Sequence, residues 1–188
     1  MPAQQSSHDV VVIGGGPGGY ASALYGASAG LDVAIVEREK VGGTCLHRGC
    51  VPAKEFLETA HVHRTLLRAG EFGFTTGSVE TDFAVSQRRK QQVVDGLFKG
   101  LSGLLAGRKV TVVSGTGRLR ADRTVEVVDG DDAGSVLTAP SVILAAGSVP
   151  RTLPGFEVDG TLVVTSDEFL DLSTLPSSAV VIGGGAIG

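Results

Sequence analysis

The sequence predicts an α/β chain built on a parallel sheet, with inserted helices and a small antiparallel β-meander, and three observations predict it. A short apolar strand, Asp9 to Ile13, runs directly into the glycine turn Gly14-Gly15-Gly16-Pro17-Gly18-Gly19. Small residues of helical character follow from Tyr20 to Ala29, and a second apolar strand, Val33 to Val36, ends at Glu37. The same glycine spacing returns at Gly183-Gly184-Gly185-Ala186-Ile187-Gly188, where the 188 residues end. Strand, glycine turn, helix and second strand make a βαβ unit, whose strands run parallel.

Gly14, Gly16 and Gly19 fit G-x-G-x-x-G, and each element has a physical task. The first glycine permits the tight turn, and the second lets backbone amides approach a pyrophosphate. The helix start adds partial positive charge, and Ala23 is small where helix must approach strand. Glu37 ends the second strand, where a carboxylate accepts hydrogen bonds from ribose hydroxyls and disfavours a 2′-phosphate. The unit is therefore read as a Rossmann-like dinucleotide-binding fold.

Immediately after it comes Gly42-Gly43-Thr44-Cys45-Leu46-His47-Arg48-Gly49-Cys50-Val51-Pro52-Ala53-Lys54, which contains both cysteines of the chain. The acidic composition is unlike that of a small disulfide-stapled secreted domain, so redox chemistry is a better reading than a structural staple. Residues five apart on a regular helix have Cα atoms about 8.6 Å apart. A disulfide needs less than about 7 Å. If the two bond, the backbone between them must leave regular helix, and Gly49 is the residue that allows it. A thiol pair beside a dinucleotide fold needs a two-electron acceptor, which favours FAD in the first fold. Gly43, Thr44 and Lys54 in this loop are candidate FAD contacts.

Pro52 to Ala69 reads as a helix, which puts Cys50 at a helix N-terminus with Lys54 one turn on, a setting that favours thiolate. His61 and His63 are two apart and do not share a helix face, so no metal site is expected. Asp82 to Arg108 reads as a long helix capped by Asp82. Val110 to Leu137 reads as an antiparallel meander, with Gly117 a further candidate cofactor contact. Its acidic turn, Asp129, Asp131 and Asp132, lacks the spacing and terminal glutamate of a calcium loop. Ser141 to Ala145 returns to the central sheet and delivers Ala146 and Gly147, small enough to let backbone approach a cofactor.

Gly155 to Pro176 is a polar crossing segment, and Ala179 onward is expected to form a strand feeding Gly183, Gly185 and Gly188, the start of a second Rossmann-like fold for NAD. The expected division is 1–150 as the FAD-binding domain with the cysteine pair and 151–188 as crossover and truncated start of the NAD-binding domain. Because the second turn has no following helix, a fragment of a longer polypeptide is expected. The formal charge of −4 and the lack of a long basic block argue against nucleic acid. No stretch approaches ~20 apolar residues, so no membrane span is expected. Met1 to His8 is short and polar, which excludes a secretory signal and leaves the cytoplasm as the expected compartment.

Taken together, Gly14 to Gly19 with Glu37, Gly42 to Lys54, Ile143 to Pro150 and the opening at Gly183 resemble the N-terminal portion of the two-cysteine pyridine nucleotide–disulfide oxidoreductases, most closely the dihydrolipoyl dehydrogenases. The resemblance implies FAD along the first fold, a redox disulfide between Cys45 and Cys50, NAD as acceptor and a homodimer in the intact protein. Its substrate would be dihydrolipoamide, or the lipoyl domain of a 2-oxo acid dehydrogenase complex. Carried over, Cys45 is the interchange thiol and Cys50 the thiolate against the flavin. The histidine–glutamate base of such enzymes lies near their C-terminus, and none of His8, His47, His61 and His63 matches it. His47-Arg48 stands where the commonest pattern has an asparagine after the Cys-Leu or Cys-Val pair. The alternatives are another flavin disulfide reductase, of glutathione or mercuric reductase type, and a flavin-binding module without turnover.

Overall fold

The computed structural model describes residues 5–188, which divide into two compact units. One comprises residues 5–47 with Asp95–Ser148, and the other Arg48–Val94 with Val149–Gly188.

The first unit holds two sheets. Strands β1 (Gln5–Ser7), β2 (Val10–Ile13), β3 (Val33–Glu37), β4 (Thr111–Ser114), β5 (Gly117–Leu119), β6 (Val125–Val127), β7 (Val136–Thr138) and β8 (Ser141–Leu144) follow in chain order. A wholly parallel sheet has the order β4-β3-β2-β8, and a second has the order β1-β7-β6-β5. Residues alternate faces along a strand, so β2 and β3 serve two cores. Val11, Ile13, Ala34 and Val36 pack against Val125, Val127 and Leu137 of the second sheet. Val12, Val33 and Ile35 face Ala23 of helix α1 (Pro17–Ser28) and Leu105 of helix α4 (Phe83–Gly107). Both faces of β2 and β3 are thus covered, which explains why these two strands read as continuous apolar runs.

Two strand expectations are corrected. The run Val110 to Leu137 is not one antiparallel meander: β4 pairs in parallel with β3, Ala34 opposite Thr111 through Glu37 opposite Ser114. Only β5, β6 and β7 pair antiparallel, and β1, from a segment too polar to announce a strand, adds in parallel to β7. The pairings of β4 with β3 and of β1 with β7 are non-local, and the sequence around each strand carries no record of its partner. Ala179 to Ile182 adopts no strand, and Val180 is 91% exposed. A parallel strand needs a neighbour to complete its hydrogen bonds, and among the described residues none pairs with this segment.

The second unit carries α3 (Cys50–Leu67), a 3₁₀ turn at Ala69–Phe72, the first part of α4, and α5 (Ser166–Leu170). Helix α2 itself (Gly43–His47) closes the N-terminal segment of the first unit. Phe56 of α3 stacks on Phe83 of α4 at 5.5 Å, and Glu55 pairs with Arg89 at 3.1 Å. Asp82 caps α4, its Oδ1 accepting the amide of Ala84 at 3.0 Å. Lys90, 4% exposed, donates from Nζ to the Leu170 carbonyl at 3.0 Å and to Asp171 Oδ1 at 2.7 Å. Gln87 donates to the Leu172 carbonyl at 2.6 Å, so two side chains of α4 satisfy the carbonyls at the end of α5.

Candidate functional site

Gly14 has φ +102°, and a Cβ there would lie 2.2 Å from the Ala145 carbonyl oxygen. The turn therefore packs directly on the chain leaving β8, just before Ala146 and Gly147. A Cβ on Gly19 would lie 1.8 Å from the Gly14 carbonyl oxygen, which is why helix α1 can follow the turn so closely. Gly16 caps α1, with Pro17 in its first turn. Helix geometry leaves the first amides of α1 without intrahelical acceptors, and they are available to a phosphate.

Glu37 is tied into this turn. Its Oε2 accepts the Gly15 amide at 2.6 Å and its Oε1 accepts the Glu39 amide at 2.9 Å. A carboxylate has about four lone-pair positions, so it retains capacity for ribose hydroxyls. Beside Glu37 opens a cleft of about 400 Å³ lined by Lys40, Val41, Phe98, Ser102, Leu105 and Ser114 among others.

The cysteine loop is bolted to the same turn. The Gly42 amide donates to the Gly15 carbonyl at 2.8 Å, and a Cβ on Gly43, whose φ is +57°, would lie 2.7 Å from Gly16 Cα. Gly43 begins α2, which carries exposed Thr44 and half-buried Cys45. His47 ends α2 with Nε2 2.9 Å from the Val41 carbonyl and its ring edge-on to Phe98 at 5.5 Å. Its task is to hold the helix, a role that its position between the cysteines did not signal.

Helix breaks at Arg48-Gly49, where Gly49 has φ −145° and ψ −106°, and resumes at Cys50, the first residue of α3. The break falls at Gly49, the residue named from the sequence as able to leave regular helix. Cys50 and Lys54 are both exposed, and Pro52 is buried at the third position of α3. Helix α3 thus starts two residues earlier than the sequence reading, which took Pro52 as its start. Arg48 Nε lies 3.6 Å from Asp167 Oδ2 on α5. That helix has a capping box: Glu168 Oε2 accepts the Thr165 amide at 2.7 Å, and Thr165 Oγ1 accepts the Asp167 amide at 3.2 Å. The Thr165 hydroxyl, and then its amide, hold the Glu168 carboxyl below the usual glutamate range.

Of the sequence-predicted site residues, Gly14, Gly16, Gly19, Glu37, Gly43, Thr44, Cys45, Gly117, Ala146 and Gly147 lie in the first unit. Cys50, Lys54, Gly183, Gly185 and Gly188 lie in the second. Gly117 sits over the sheet, where a Cβ would lie 3.1 Å from Ile13 Cγ2 and 3.2 Å from Val36 Cγ1. The second glycine turn repeats the first in local form. Gly183 has φ +114°, and a Cβ on Gly188 would lie 2.2 Å from the Gly183 carbonyl oxygen, as Gly19 stands to Gly14.

Comparison with known proteins agrees with this geometry. The family model described as pyridine nucleotide-disulphide oxidoreductase matches residues 8–188. A dihydrolipoyl dehydrogenase of Bacillus subtilis is 45% identical over 191 residues, covering 97% of this chain and 40% of that protein. One of Chlamydia muridarum is 40% identical, covering 96% of this chain and 39% of that protein. The crystal structure of LpdA from Mycobacterium tuberculosis superposes with a TM-score of 0.82 at 26% identity, over 93% of this chain and 38% of that one. The chain therefore spans about two-fifths of the length of these relatives.

Proposed function

Because the chain belongs to the pyridine nucleotide-disulphide oxidoreductase family, we propose that it is the FAD-binding, cysteine-bearing portion of a dihydrolipoyl dehydrogenase, oxidising dihydrolipoamide with NAD as acceptor. The observation that carries the reading is the contact of Gly43 with Gly16, which seats the helix of Cys45 on the glycine turn. In this reading residues 1–150 form the FAD domain, and 151–188 lead into the NAD domain. The protein acts in the cytoplasm as a homodimer with the lipoyl domains of a 2-oxo acid dehydrogenase complex.

The residues present fit FAD. The glycine turn offers a backbone-only surface, the start of α1 offers amides to the pyrophosphate, and Glu37 offers lone pairs to the ribose. Gly43, Thr44, Lys54, Gly117, Ala146 and Gly147 are the further contacts proposed. The repeated turn at Gly183, Gly185 and Gly188 supports a pyrophosphate site for NAD by the same argument. When bound, FAD supplies a two-electron acceptor between a thiol pair and a nicotinamide.

The chain's own residues carry the sulfur chemistry. One thiolate of the substrate dithiol attacks Cys45 Sγ, breaking the Cys45–Cys50 bond and releasing Cys50 as thiolate. The second substrate thiol attacks the mixed disulfide, closing the cyclic disulfide product and releasing Cys45 as thiol. Substrate is oxidised by two electrons and the protein disulfide is reduced by two. Cys50 is the first residue of α3, beside the amides of that helix that have no intrahelical acceptor.

Assay of the full-length protein with dihydrolipoamide and NAD, beside glutathione disulfide and mercuric ion with NADPH, tests the assignment. NADH formation with dihydrolipoamide is expected. Turnover confined to glutathione disulfide or mercuric ion places the protein elsewhere in the family, and flavin binding without turnover makes it a binding module.

A further inference from the structure

The acidic turn Asp129 to Asp132 has no place in the chemistry above, yet the carboxylates of Asp129 and Asp132 accept hydrogen bonds from the turn after β4. Asp132 Oδ2 accepts the Ser114 amide at 2.7 Å, and the Asp132 amide donates back to the Ser114 carbonyl at 3.1 Å. Asp129 takes both donors of Thr116, the amide at 2.7 Å on Oδ1 and the hydroxyl at 2.9 Å on Oδ2. The amide between them, on Gly115, donates to the Glu37 carbonyl at 2.9 Å. The two turns also interlock without side chains: a Cβ on Gly115 would lie 2.0 Å from the Asp129 carbonyl oxygen, and one on Gly130 would lie 2.7 Å from Gly115 Cα.

Three successive amides, Ser114 to Thr116, thus each have an acceptor: the exposed carboxylates of Asp132 and Asp129 on either side and the Glu37 carbonyl between them. Ser114 stands opposite Glu37 in the β3–β4 register and lines the cleft beside that acid. We propose that Asp129 and Asp132 are positioning residues that pre-organise the Ser114–Gly117 turn for the adenosine moiety of a dinucleotide whose ribose is held by Glu37. The proposal rests on the reading above of the glycine turn and Glu37 as a dinucleotide site. The carboxylates touch no ligand themselves; they act through the turn, and a pre-formed turn binds without the ordering cost of a mobile one.

The test is calorimetric titration of the full-length apoprotein with AMP, which carries only the adenosine half, and with FAD. Asp129→Ala and Asp132→Ala, singly and together, are expected to lower affinity for both by a common factor of about ten or more. Asp129→Asn, which keeps an oxygen for the Thr116 amide, should recover most of the loss, and Asp131→Asn in the same turn should change nothing. If the double variant fails to fold, Asp132→Ala alone is read by the same criterion. Affinity within twofold of the parent in the alanine variants overturns the proposal while the FAD reading stands. A parent that binds AMP but not FAD, with loss in the variants, sinks the flavin reading and supports the proposal. A parent that binds neither ends both.

Discussion

The main-chain amide of Gly15 donates to Glu37 Oε2 at 2.6 Å, joining the glycine turn to the acid at the end of β3. The other carboxylate oxygen accepts the Glu39 amide at 2.9 Å, so both oxygens hold backbone. Hydrogen bonds to a charged acceptor are worth about 1.5–3 kcal/mol each. Glu37→Gln keeps the shape but loses one acceptor, and FAD affinity of the full-length protein should fall by about tenfold or more. Flavin fluorescence quenching reads it, and unchanged affinity would remove Glu37 from the nucleotide site.

Gly43→Ala should be far more damaging than its small size suggests. The added methyl meets Gly16 backbone at 2.7 Å with φ at +57°, and neither atom belongs to a flexible side chain. A cost of about 1–3 kcal/mol is expected from the backbone conformation alone. Gly96→Ala is the control, because that exposed position within α4 meets nothing within 4 Å. It should stabilise by about 0.5–1 kcal/mol. Thermal unfolding separates the two, and equal effects would show that the close approach carries no strain.

The fingerprint and the cysteine loop were legible because their geometry is local. Gly14, Gly16 and Gly19 differ from other glycines by their spacing after an apolar strand, and Gly49, between Cys45 and Cys50, is where the helix breaks. Partnerships across the chain were not legible. Nothing near Gln5 announces pairing with Val136, and nothing near Asp129 announces the Thr116 amide. His47 bonds the nearby Val41 carbonyl, but the Phe98 ring against it comes from a distant helix. The strand expected at Ala179 had the right residues and no neighbour to pair with among those described.

The capping box of α5 should open in acid. Hydrogen bonds from Thr165 hold the Glu168 carboxyl below its usual range, so the charged form is favoured in the folded state. Its contribution is therefore complete above the ordinary glutamate value and is lost as pH falls through the depressed folded value. Amide exchange at Thr165 should accelerate across that acid range, and Glu168→Gln should flatten the dependence. Acceleration centred at or above the ordinary glutamate range would contradict the assignment.

The two thiols should separate in spectroscopy of the full-length flavoprotein. Cys45→Ser is expected to leave a thiolate at position 50 and with it a long-wavelength charge-transfer absorbance of the flavin, whereas Cys50→Ser should abolish that band. The reverse pattern would exchange the two roles.

The most direct measurement is anaerobic alkylation of Cys45 and Cys50 in the full-length flavoprotein, before and after one equivalent of dihydrolipoamide, with mass spectrometry of the peptide containing both. The redox-pair account predicts both sulfurs protected in the oxidised protein and both labelled after substrate, with NADH appearing when NAD is then supplied to an unalkylated sample. Full labelling of both cysteines in the oxidised protein, unchanged by dihydrolipoamide, would contradict it.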